Sequence, residues 1–231
     1  MIKAILFDLD GTLLPMNEEE FTKGYFGLLY KNIMPYGYEK DKFISTVLKG
    51  TYAMRKNDGK FANEEVFWKC YSDVYGEESL KDKAVFDKFY ETDFAKTKIF
   101  CGFNEKAKDV VKYCKDKGYK IILASNPLFP KETMEWRIKF AGIDPRDFDY
   151  ISDYANSSYS KPNPMFLKEI LEKNNLNAED VVYFGNSEIE DGRPAKELGI
   201  KVYMVGDDIV VDKDNQNQFE HIKFEDIIKV V

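Results

Sequence analysis

The sequence predicts an α/β protein built on a doubly wound parallel sheet, with a helical insert after the first strand. Three observations carry that expectation. Short apolar runs recur along the chain, helical patterns closed by glycine separate the later ones, and roughly 80 residues after the first run lack any strand pattern.

The first run, residues 4–7, is apolar throughout and stops at Asp8, as a strand buried on both faces should. From Met16 to Lys98 the apolar spacing is helical: Phe21, Tyr25, Leu28 and Leu29 share a face. Ile44, Val47 and Leu48, then Val66, Phe67, Cys70, Tyr71 and Val74, then Phe86, Phe89, Tyr90 and Phe94 repeat it in three further segments. The aromatic side chains of this insert read first as its own core rather than as a ligand-stacking surface. Residues 105–117 read as a helix closed by Gly118, residues 132–141 as one closed by Gly142, and residues 194–198 as one closed by Gly199. Between them fall the strand runs 121–124, 181–184 and 202–205, and a polar stretch, 212–218, precedes a short helix at 224–229. The division expected is a core of residues 1–15 and 99–231 and an inserted helical domain of residues 16–98.

Composition removes several classes of chemistry. The 231 residues carry 34 Lys and Arg against 41 Asp and Glu, a formal charge of −7, with no basic stripe suited to a nucleic acid backbone. The only histidine is His221, so Ser-His-Asp, Cys-His and histidine-rich metal sites are excluded elsewhere in the chain. Cys70, Cys101 and Cys114 form no C-x-x-C pair and read as reduced thiols. The apolar start meets Asp8 at once, and no later run approaches a membrane span. A cytoplasmic protein without membrane or nucleic acid partners is the expectation.

The chemistry collects at strand ends. In Asp8-Leu9-Asp10-Gly11-Thr12 the period of two puts both carboxylates on one side as the chain leaves the sheet, where ligands of doubly wound sheets bind. Ser125-Asn126 follows the second run and Gly185-Asn186-Ser187 the third, with Lys161-Pro162 between them. Taken singly, Asp-Gly is a turn signal, Ser125 a helix cap, Lys161 a solvated lysine and Asp191 a cap for the helix after it. Their order at successive strand ends favours phosphate chemistry.

These four segments resemble, in order, the four motifs of the haloacid dehalogenase-like (HAD) hydrolases, with the insert where many members carry a mobile cap. The resemblance covers nearly the whole chain. It implies a Rossmann-like core and a phosphatase reaction in which Asp8 is the nucleophile, Asp10 the general acid and base, and Lys161 the cation that keeps Asp8 ionised. It further implies phosphate contacts from Thr12, Ser125, Asn126 and Lys161, and a Mg²⁺ ion held by Asp8, Asp10, Asn186 and Asp191. The expected substrate is a small phosphorylated metabolite. In the fourth motif the family usually has an acid just after the glycine; here Asn186 and Ser187 follow it, and Glu188, Glu190 or Asp191 is left to restore charge. A phosphomutase or a catalytically weak phosphate-binding module is the alternative, whereas a true dehalogenase would lack the second aspartate.

Overall fold

The computed structural model describes residues 1–214 and 218–231. Its sheet has six parallel strands in the order β3-β2-β1-β4-β5-β6: β1 Ala4–Phe7, β2 Lys120–Leu123, β3 Tyr150–Ile151, β4 Val181–Gly185, β5 Lys201–Val205 and β6 Glu220–Ile222. The four apolar runs are thus the four central strands. The sequence pattern misses β3 and β6, which are edge strands of two and three residues, too short to display a period. Of the polar stretch 212–218, residues 215–217 lie outside the described residues.

Strand alternation sorts the core into two layers. Ile5, Phe7, Ile121, Leu123, Val182 and Phe184 face the layer that continues into the insert, whereas Ala4, Leu6, Ile122, Val181 and Tyr183 face the other. That second layer is closed by Phe166, Leu167, Ile170 and Leu171 of α7, Pro164–Lys173. This helix starts with an Asn163 cap and Pro164 in its first turn.

Four helices occupy the insert: α1 Glu18–Ile33, α2 Lys40–Arg55, α3 Asn63–Tyr75 and α4 Lys83–Glu91, followed by a 3₁₀ segment Asp93–Phe100. Phe94 therefore lies past the end of α4. The remaining helices, α5 Ala107–Asp116, α6 Lys131–Phe140, α8 Arg193–Glu197 and α9 Ile227–Val230, flank the sheet or lie at its ends. Most insert aromatics fill its interior, among them Phe43, Tyr71, Phe86 and Phe89. Others reach the sheet side, where Phe94 stacks on Phe140 with ring centroids 6.3 Å apart and Tyr25 meets Phe129 edge-on at 5.4 Å. Among the described residues no helix is long and apolar enough to cross a membrane.

Candidate active site

The register places the site. Phe7 pairs with Leu123 on one side and with Phe184 on the other, so Asp8, Ala124 and Gly185 leave the sheet at the same level. The chain adds strands on one side of β1 first and then crosses to β4, which makes the carboxyl ends of β1 and β4 the switch point of the sheet. Three of the four sequence segments converge there directly, and the loop after β3 carries Lys161 in from the side.

Asp8 is buried and both its oxygens are held: Lys161 Nζ donates to Oδ1 at 2.7 Å and Thr12 Oγ1 to Oδ2 at 3.0 Å. Lys161, 2% exposed, also donates to Asp191 Oδ1 at 2.6 Å. Burial pushes the Asp8 carboxyl up to about 7, with Lys161 opposing and the charges of Asp191 and Asp10 adding to the rise. Burial disfavours the Lys161 ammonium, but Asp191 and Asp8 outweigh it and hold its pKa above the ordinary lysine value.

The fourth segment is wound as a π-type turn over Glu188–Gly192, with Gly192 N–H donating to Ser187 O at 3.0 Å. Such a turn absorbs one extra residue, and it rolls Asp191 back over β4. A Cβ on Gly185 would lie 2.4 Å from Asp191 Oδ2, so only glycine admits this approach. Both Asp191 oxygens are engaged: Oδ1 takes Lys161 and the Tyr183 hydroxyl at 2.6 Å, and Oδ2 takes Ser187 N–H at 3.0 Å. Asp191 thus forms a buried ion pair with Lys161. Glu188 turns away, to His221 Nε2 at 2.6 Å and Asp212 N–H at 2.6 Å, and Glu190 pairs with Arg55 at the end of α2.

Asn186 sits against the first segment. Gly11 has φ +76°, and a Cβ there would lie 2.0 Å from Asn186 Nδ2, so the turn and the close approach both require glycine. Among the described residues no group of three or more His, Cys, Asp or Glu side chains is arranged to hold a metal. The donors at hand are the Asp8 carboxylate and the Asn186 amide, both hard oxygen ligands, which suit a Mg²⁺ ion that keeps much of its water.

Asp10 Oδ2 accepts from Arg137 of α6, while among the described residues Oδ1 is buried without a partner. Sequence reasoning missed Arg137, although its signal is present: Met134 and Ile138 lie on the buried face of α6, and Arg137 interrupts that face with a charge. Ser125 is buried and Asn126 Oδ1 is another unpartnered buried atom. Asp8, Asp10, Ser125, Asn126, Lys161 and Asn186 all open into one cavity of about 500 Å³. Its opposite wall comes from the insert, with Phe21, Tyr25, Phe26, Val47 and Leu48.

A family model for haloacid dehalogenase-like hydrolases matches residues 5–205. The chain belongs to this family. HAD proteins of known structure share its fold over almost the full length. A HAD phosphatase from Thermococcus onnurineus matches with a TM-score of 0.59 at 20% identity, covering 99% of this chain and 97% of that one. A HAD family enzyme from Bacteroides thetaiotaomicron, in complex with magnesium and inorganic phosphate, gives 0.53 at 21% identity, over 88% and 94%. The L-2-haloacid dehalogenase from Xanthobacter autotrophicus, with chloropropionic acid covalently bound, gives 0.57 at 14% identity, over 100% and 98%. No curated protein sequence matches the chain. HAD relatives thus include both phosphate-binding and dehalogenating enzymes, and the choice between them rests on the site residues.

Proposed function

We propose that the chain is a Mg²⁺-dependent phosphohydrolase that acts on a small phosphorylated metabolite through an aspartyl-phosphate on Asp8. The observation that carries this reading is the pair Asp8 and Asp10 in the lining of one cavity. The first is held by Lys161 and Thr12, and the second by Arg137. A dehalogenase has no use for the second carboxylate.

In the first half-reaction an Asp8 oxygen bonds to phosphorus, the ester bond breaks, and Asp10 gives a proton to the leaving oxygen. In the second, Asp10 takes a proton from a water that attacks the aspartyl-phosphate, and inorganic phosphate leaves. A carboxylate facing a phosphoryl oxygen at ~4 Å meets repulsion of about 4 kcal/mol per charge pair at an effective dielectric near 20. Lys161 offsets part of it. The Ser125 hydroxyl and the N–H groups of Leu9 and Asn126 are suited to hold the phosphoryl oxygens, while the Thr12 hydroxyl gives its proton to Asp8; Pro127 has no N–H to add. Asp8, the Asp10 main-chain carbonyl and Asn186 would hold a Mg²⁺ ion, whose charge, when bound, neutralises the phosphoryl group. Asp191 adds negative charge while its oxygens stay on Lys161, Tyr183 and Ser187.

Residues 16–98 are assigned as the cap and residues 1–15 and 99–231 as the core. Closure of the cap excludes water and selects the leaving group. A cavity of about 500 Å³ suits a metabolite rather than a phosphoprotein. The test is a screen of phosphorylated metabolites with Mg²⁺, followed by phosphate release. Activity is expected to disappear in a folded Asp8→Asn protein, whose amide keeps the shape but cannot attack phosphorus. Wild-type rates from that variant would refute the covalent route.

A further inference from the structure

Arg137 is a buried cation without an evident reason to be one. It is 2% exposed and sits on the apolar face of α6. Its guanidinium lies near two rings, 5.7 Å from the centroid of Phe21 in the insert and 5.4 Å from that of Phe129 in the core. Among the described residues, one terminal nitrogen bonds Asp10 Oδ2, the other has only the Met134 sulfur at 3.6 Å, and Nε has no partner. A buried arginine that served the fold alone would need its donors satisfied. This one directs its single strong bond at one oxygen of one carboxylate.

We infer that Arg137 is a positioning residue for Asp10. It anchors Oδ2 and so fixes the orientation of the Asp10 carboxyl from which protons are exchanged with the leaving group and the attacking water. One of the two rings beside the guanidinium comes from the insert and the other from the core. The grip on Asp10 is therefore complete only when the insert lies over the site. Loss of such alignment costs roughly 10²-fold in rate when it shifts a reacting group by about 1 Å. The inference rests on the proton-transfer role proposed for Asp10.

The test compares two aromatic esters of similar size, benzyl phosphate and p-nitrophenyl phosphate, in first-turnover quench measurements with Mg²⁺. Benzyl alkoxide needs a proton to leave, whereas p-nitrophenoxide does not. Arg137→Met, which keeps the packing but removes charge and donors, is expected to slow the first turnover of benzyl phosphate roughly 10²-fold. The p-nitrophenyl ester should stay within about threefold, with KM for both esters within about twofold. Arg137→Lys, which restores a charge but not the fork, should show the same selectivity with a smaller loss, and it serves if the Met variant does not fold. Equal losses on both esters, or none, would overturn the inference. Asp10→Asn is the control. If it shows the ester-selective loss and Arg137→Met does not, the inference alone fails; if Asp10→Asn shows none, the proton-transfer role itself fails.

Discussion

Asp8 brings two opposing demands together: burial gives it strength as a nucleophile in a dry site and also draws a proton onto it. Its carboxyl, pushed up to about 7, is protonated below that pH and ionised above it. A cation binds the ionised form, so Mg²⁺ affinity should fall as pH falls through 7, by about tenfold between pH 8 and pH 6. Calorimetric titration at the two pH values, with proton release measured in parallel, checks this. A second expectation concerns Asn186, the neutral side chain pressed against Gly11. Asn186→Asp should tighten Mg²⁺ binding by roughly three- to tenfold, since ligand charge sets affinity and bound water tempers the gain. Unchanged binding and unchanged turnover would put Asn186 outside the metal shell. Asp8, Asp10, Ser125, Asn126 and Asn186 were legible in the sequence because each follows an apolar run at a strand end, whereas Lys161 follows none and was legible only through the resemblance. Arg137 was not, because a charge in a helical pattern reads as a solvated face until α6 is known to be buried there.

Among the elements, two of the polar ties between the insert and the core differ in burial. Asn63, at the start of α3, is fully buried. Its amide nitrogen lies 3.2 Å from Pro127 O, 3.3 Å from Tyr159 O and 3.2 Å from Ser160 Oγ, and its N–H donates to Ser157 O at 2.8 Å. This anchor ends one residue before Lys161. The Arg55–Glu190 pair, with side chains 37% and 33% exposed, bridges the same two parts nearer the cavity mouth. Asn63→Ala strands buried carbonyls and should lower unfolding free energy by about 1–3 kcal/mol in urea titrations. Arg55→Ala should change it by about 1 kcal/mol or less. The reverse ranking would mean that the insert is held by charge. Central strands were readable as unbroken apolar runs and insert helices from their period. The edge strands β3 and β6 were not, since two or three residues cannot show alternation and Glu220 and His221 are exposed.

Across the whole molecule, one apolar cluster runs from Phe7 and Phe184 in the sheet through Phe94, Tyr25 and Phe89 in the insert. The sequence suggested an insert closed around its own core; the structure joins that core to the face of α6. Replacing residues 16–98 by a Gly/Ser linker should therefore uncover Phe129 and Phe140 and raise binding of a hydrophobic dye. Selection by the insert is better read from Phe26→Ala and Val47→Ala, which widen its cavity wall. Bulkier phosphomonoesters should gain relative to smaller ones, and an unchanged ranking would remove the insert as selector.

The central claim, that Asp8 carries the phosphoryl group and Asp10 moves the protons, is most directly tested by intact-mass and peptide analysis of Asp10→Asn quenched during turnover with Mg²⁺ and an activated phosphomonoester. Its second half-reaction lacks a base, so the expected result is protein carrying one phosphoryl group on Asp8, absent from Asp8→Asn. Consumption of the ester with no phosphorylated Asp8 at any quench time would contradict it.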